Sequence, residues 1–205
     1  MRLAAIAGVA PVSVQSVEAT ELALTAAIID VRGREAEHDP GVALAARDAA
    51  ELAHANGAGL VAVVTHAAAD PGILVGMVVT ADTPLGPDAA AELRHYLADG
   101  GGPDIREVTE SRTERGYPVV IAERILVDGP SRDAPPAGCQ LQAVVIDPPG
   151  RRMAVFTLHS TTGRGWLELA GVLGRLVSSV DFEALPAAPE STVSVASQRT
   201  VPGRG

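Results

Sequence analysis

Lysine is absent from this chain: all 16 basic residues are arginine. With Ala, Gly and Pro abundant, that reads as GC-rich codon usage before it reads as function. Aromatic residues make up only 2% of the sequence. Rings are the large anchors for stacking on another ring or a base. A core without them must be built from Val, Leu, Ile and Ala, and the 47% hydrophobic content supplies these. Cys139 is the sole cysteine, so no intrachain disulfide can form. That fits a reducing, cytoplasmic compartment. No apolar run approaches the ~18 residues of a membrane span. Residues 1–14 hold one Arg followed by small apolar residues, a faint likeness to a signal segment. Gly8 and Pro11 interrupt that run, and a single charge makes a poor start to a leader.

Positive charge is also short. The net charge of -9 opposes nucleic acid, which needs a basic footprint, and opposes adhesion to an anionic membrane. Neither is expected as a partner.

What is present is a regular alternation of apolar runs and turn signals over 205 residues, a length that suits one domain and a tail. Residues 3–17 read as an edge strand or extended opening segment, and residues 18–31 as a helix that Ser16 could cap, with Ala26-Ala27-Ile28-Ile29 suiting a strand end as well. Residues 32–39 form a charged link. Asp39-Pro40 is a helix start, a capping carboxylate followed by Pro at the first helical position, and Asn56-Gly57 ends that helix. Residues 60–65 are apolar throughout, the pattern of a strand buried on both faces. Pro71-Gly72 turns the chain into a return strand at 73–80, and Pro87-Asp88 opens a helix that the glycines from Gly100 stop. Strands follow at 105–109 and 117–127, with a hairpin loop at 110–116 and a Pro-rich link at 128–138. A tight hairpin, 141–146 and 153–158, turns across Asp147-Pro148-Pro149-Gly150, and residues 166–178 are the last helix. From 183 to 205 the composition shifts to Pro, Ser, Ala, Thr and Gly, as a disordered tail would.

Hairpins alternating with helices predict an α+β class. The expectation is a mostly antiparallel sheet of about six to seven strands flanked by three to four helices, in one domain over 1–182. Two stretches, 59–97 and 139–180, share the order strand, strand, helix. The matching lengths read as packing geometry rather than duplication, because the turns and helix starts differ.

The helix from Pro40 running into Gly57-Ala-Gly-Leu-Val-Ala-Val-Val carries a resemblance. So does the run from Gln140-Leu-Gln-Ala-Val-Val-Ile-Asp to Phe-Thr-Leu-His-Ser, with its following helix. Together they resemble a group of uncharacterised actinobacterial proteins with a PsbP/Mog1-like α/β/α sandwich layout, over residues 39–182. The resemblance implies a protein that acts by binding other proteins. It offers no catalytic residue.

Candidate chemistry is sparse. His66 ends a strand with Asp70 and Asp82 nearby in sequence, a trio that could serve a metal or acid/base site. The plainer reading is a polar strand end in water. Cys139 and His159 end neighbouring strands of one hairpin and make the one thiol–imidazole pairing on offer, yet no orienting third group is visible. Gly163-Arg164-Gly165-Trp166 opens a helix after a strand and could hold an anion, but it lacks the residues of a phosphate loop. Arg151 and Arg152 form a basic hairpin tip that could meet an acidic partner, against the plainer reading of a solvated turn. Trp166 is a core anchor unless its ring is exposed.

The leading expectation is a non-enzymatic protein that works through protein–protein contacts, a homodimer through sheet edges being one form. Arg151, Arg152, Gly163, Arg164 and Trp166 are the expected ligand or partner contacts. The alternative is a domain that binds a small anionic or apolar ligand, with Arg164 as the anion contact. A hydrolase or metal enzyme is the minor alternative. No catalytic residue, metal ligand or cofactor is assigned.

Overall fold

The apolar runs form a seven-stranded antiparallel sheet with helices on both faces, an α+β fold as expected. The computed structural model describes residues 1–127 and 136–182. The expected tail, 183–205, and most of the Pro-rich link lie outside the described residues.

In chain order the elements are β1 (Val9–Pro11), α1 (Val17–Arg32), α2 (Pro40–Ala55), β2 (Leu60–Val64), β3 (Gly72–Thr80), α3 (Ala89–Gly100), β4 (Ile105–Arg112), β5 (Pro118–Val127), β6 (Pro136–Ile146), β7 (Arg152–Ser160) and α4 (Trp166–Ser178). The sheet order is β1-β2-β3-β7-β6-β5-β4. A short 3-10 helix, Arg34–His38, stands where a plain charged link was expected.

Local chemistry fixes the helix starts. The Ser16 hydroxyl accepts a hydrogen bond from the Ala19 amide, and an Asp39 carboxylate oxygen accepts from the Gly41 amide at 2.9 Å. Each satisfies one of the donors a helix leaves open at its N-terminus. Pro40 occupies the first turn, where no amide is needed.

Strand alternation then sorts side chains into two layers. Ala62 and Val64 of β2 face α4, while Val61 and Val63 face α1 and α2. This is the two-sided burial that the apolar run predicted. On one face α4 presents Trp166, Leu169, Val172, Leu173, Leu176 and Val177 to a floor of Leu74, Ala143, Phe156 and Leu158. On the other, α1 and α2 cover β2 and β3, and α3 packs on Val120 and Ala122 of β5. The central strands β7 and β6 lie between these two helical walls.

The two similar stretches therefore part company. Each gives two strands and a helix, but α3 and α4 sit on opposite faces of the sheet.

Two longer strands differ from expectation. β4 runs on to Arg112, through residues read as hairpin loop, because those residues pair with Val120, Val119 and Pro118 of β5. β6 starts at Pro136, inside the expected link. Both sheet edges are blunted against further pairing. β4 carries Arg106, Glu107, Glu110 and Arg112, and β1 spans three residues ending in proline.

The two ends of the described residues meet. Arg2 and Asp181 exchange two backbone hydrogen bonds, at 2.7 and 3.1 Å. No helix among the described residues is long and apolar enough to cross a membrane.

Candidate functional site

Three segments converge at one end of the sheet: the end of α1 with the following 3-10 turn, the β2–β3 loop, and the loop from β7 into α4. Asp70 joins two of them. One of its carboxylate oxygens lies 2.7 Å from the Arg164 guanidinium, and the other accepts from the Thr162 hydroxyl at 2.8 Å. The Asp70 amide donates to the Arg164 carbonyl. Across the cleft, Arg32 contacts Asp39 at 2.8 Å. Hydrogen bonding from Arg32, and then from the Gly41 amide, holds the Asp39 carboxyl below its ordinary range.

These groups enclose a cleft of about 700 Å³, lined by Arg32, Glu35, Asp39, His66, Asp70 and Arg164 among others. Its volume lies within the range of small-molecule sites. Two guanidinium groups are each fixed by a carboxylate, so the cleft offers ordered charge of both signs. Arg164 is 76% exposed, and one terminal nitrogen engages Asp70, out of five N–H donors on the group.

Next to this cleft lies a small pocket of about 20 Å³ whose lining includes Arg32, Asp70, Thr162 and His159. Beyond it lies a pocket of about 200 Å³ between α2 and the sheet. Ala45, Ala49 and Leu52 form its helical wall, Ile73 and Val75 its apolar floor, and Gln140, Thr157 and His159 its polar side. The His159 Nε2 atom is buried and has no hydrogen-bond partner. Burial pushes the imidazole below its ordinary pKa, with the Asp48 carboxylate acting in the opposite sense.

The expected site residues fall into two groups at opposite ends of β7. Gly163, Arg164 and Trp166 follow the strand, while Arg151 and Arg152 precede or begin it. Nine residues of strand separate the groups by about 30 Å. Arg152 contacts Asp147 at 2.7 Å and lies over the Phe182 ring, whereas Arg151 is exposed. The Gly163 amide donates to the Ser160 hydroxyl. Trp166 is 8% exposed, and its Nε1 donates to Glu123 at 2.7 Å. By the burial criterion it is a core anchor.

His66 and Asp70 do line one cleft, but Asp82 lies past the far end of β3. Among the described residues no three His, Cys, Asp or Glu side chains converge as a metal site requires. The Cys139–His159 pairing is overturned by register. Cys139 pairs with Ser160 and His159 with Gln140, so their side chains leave opposite faces of the sheet. Burial raises the Cys139 thiol, the Glu123 charge adds to this, and Arg106 opposes it.

Sequence reasoning missed Arg32, Glu35 and Asp39 as site residues. Asp39 is legible in the sequence as a helix cap, but nothing there signals that the α1–α2 connection closes over the β2–β3 loop.

No family model matches this chain, and no curated protein does. A solved structure with some likeness is that of the Mll3558 protein from Rhizobium loti. It is 14% identical, covers 52% of this chain and 95% of its own, and has a TM-score of 0.23. A likeness at that level carries no argument about fold or function.

Proposed function

We propose that this protein is a non-enzymatic binding domain, with the polar cleft at the Asp70–Arg164 junction as its site for a small charged molecule. One observation carries the reading: two ion pairs, Arg32–Asp39 and Arg164–Asp70, border a single concave space of about 700 Å³. A bound anion would share the arginine donors already oriented by the aspartates, so little side-chain ordering remains to oppose binding. Glu35 and Asp70 favour a ligand that also carries a cationic group. The resemblance to proteins that act by binding supports the same class.

The test is titration with glutamate, succinate and inorganic phosphate, followed through the backbone amide resonances of Asp70, Thr162 and Arg164. At least one probe should give saturable shifts, weakened about tenfold in Arg164→Gln by loss of a charge-assisted hydrogen bond. Absence of saturable shifts with all three probes at millimolar concentration would remove the proposal.

A second reading, contact with a protein partner, is favoured by Leu167. It is 81% exposed on the first turn of α4, beside Arg164. The blunted edges direct such a contact to this helix and away from strand pairing. Sedimentation of the purified protein and of Leu167→Ser decides it for self-association: a dimer lost in the variant supports the reading, and a monomer in both opposes self-association.

A further inference from the structure

We infer that the pocket between α2 and the central strands is a second binding site, suited to a small neutral molecule of about one ring with a hydrogen-bonding group. The inference does not rest on the polar cleft being occupied.

Size comes first. The pocket measures about 200 Å³. An apolar cavity of roughly 150 Å³ is enough to bind benzene, so a single substituted ring fits. Next comes lining. Ala45, Ala49, Leu52, Ile73 and Val75 offer an apolar wall and floor, and Gln140, Thr157 and His159 stand on one side. That is the usual composition of a ligand pocket, mostly apolar with a few convergent polar groups.

The third observation is His159. Buried polar atoms in folded proteins nearly always have a partner. Nε2 of His159 has none, although it is shielded from solvent. Nε2 lies against Gly138, closed off from the open part of the pocket, and a modest turn of the ring would bring it to a hydrogen-bonding group seated there. Charge narrows the class further. Asp48 lies at the pocket's rim and disfavours an anion. The apolar wall and floor disfavour burying a cation, because the Asp48 carboxylate is exposed and water-screened and offsets little of the desolvation cost.

The experiment uses the full chain with phenol and toluene as probes and benzoate as the anionic control. Binding is followed through the methyl resonances of Ile73 and Val75 and the imidazole resonances of His159. Phenol should bind saturably and about fivefold more tightly than toluene, the worth of one neutral hydrogen bond. Benzoate should bind more weakly than phenol. In His159→Leu the preference of phenol over toluene should collapse to about one. Should that variant fail to fold, Leu52→Trp fills the pocket from the half-exposed helix surface and should abolish binding of both probes.

Arg164→Gln should leave phenol binding unchanged, which separates this site from the polar cleft. Lack of saturable shifts with phenol, or an unchanged phenol preference in His159→Leu, overturns the inference.

Discussion

Cys139 and His159 stand on neighbouring strands with their side chains on opposite sides of the sheet. Cys139 packs into the layer under α4, and His159 lies under α2. Thiol and imidazole thus belong to different environments, and each has its own measurable consequence.

Cys139 should be a slow nucleophile. Its thiol is held above the ordinary value of 9.0 by burial and by Glu123, so the thiolate fraction at neutral pH is small. Alkylation by iodoacetamide should run slower than for a free cysteine, and His159→Gln should leave the rate unchanged. A rate that drops in His159→Gln would mean the two groups communicate after all.

Glu123 should matter for stability through Trp166. Removing its carboxylate leaves the buried indole N–H without an acceptor, which costs about 1–3 kcal/mol. Glu123→Ala should lower the urea midpoint accordingly, and Glu123→Gln should recover part of the loss because its amide oxygen still accepts. Trp166 is the only tryptophan, so its fluorescence reports the site directly.

Acid should destabilise the protein in two stages. The His159 pKa is depressed on folding from an ordinary value of 6.5, so the unfolded chain binds the proton more readily. Stability is therefore full above pH 6.5 and declines as pH falls from there toward the folded value. Asp104, bonded to Arg124, is depressed from 3.8, and its contribution disappears at lower pH, as pH falls from 3.8 through the folded value. His159→Leu should remove the upper stage and leave the lower one. Urea denaturation from pH 8 down to below the folded Asp104 value measures both, and a variant that retains the upper stage would assign it elsewhere.

Gly165→Ala should be among the more damaging single-methyl changes. The residue has φ +68°, and an added Cβ would overlap the Ala68 carbonyl oxygen and the Ala69 backbone. The β2–β3 loop must then separate from the start of α4, and the Asp70–Arg164 contact with it. Gly57 has a similar φ, +61°, and open space around it. Gly57→Ala should cost about 1–2 kcal/mol for the backbone conformation alone. Gly165→Ala should exceed it in urea denaturation, and equal losses would show that the loop yields freely.

Much of the fold was legible because its signals are local. Asp39-Pro40 starts a helix by capping chemistry, Pro71-Gly72 and Asp147 to Gly150 turn strands back, and the run from Leu60 announces two-sided burial. The strand order was not legible. β3 pairs with β7 across more than 70 residues of sequence, and many partners would have suited its apolar residues equally. Face assignments depend on register, which a one-residue slip inverts. Without the register, Cys139 and His159 look like neighbours. The pair Ile146–Met153 sets the ladder that places Ser160 opposite Cys139. The candidate cleft was half legible. Arg164 was singled out for its position at a helix start, but Arg32, Glu35 and Asp39 join it through tertiary closure alone.

The backbone exchange between Arg2 and Asp181 makes the fold a closed circuit in space. Residues 2 and 181 lie side by side, so the body between them could be spliced into a surface loop of a host protein without stretching either junction. By the same geometry a short linker could join residues 2 and 181 directly, and new termini could be opened at an exposed turn such as the one at Gly116.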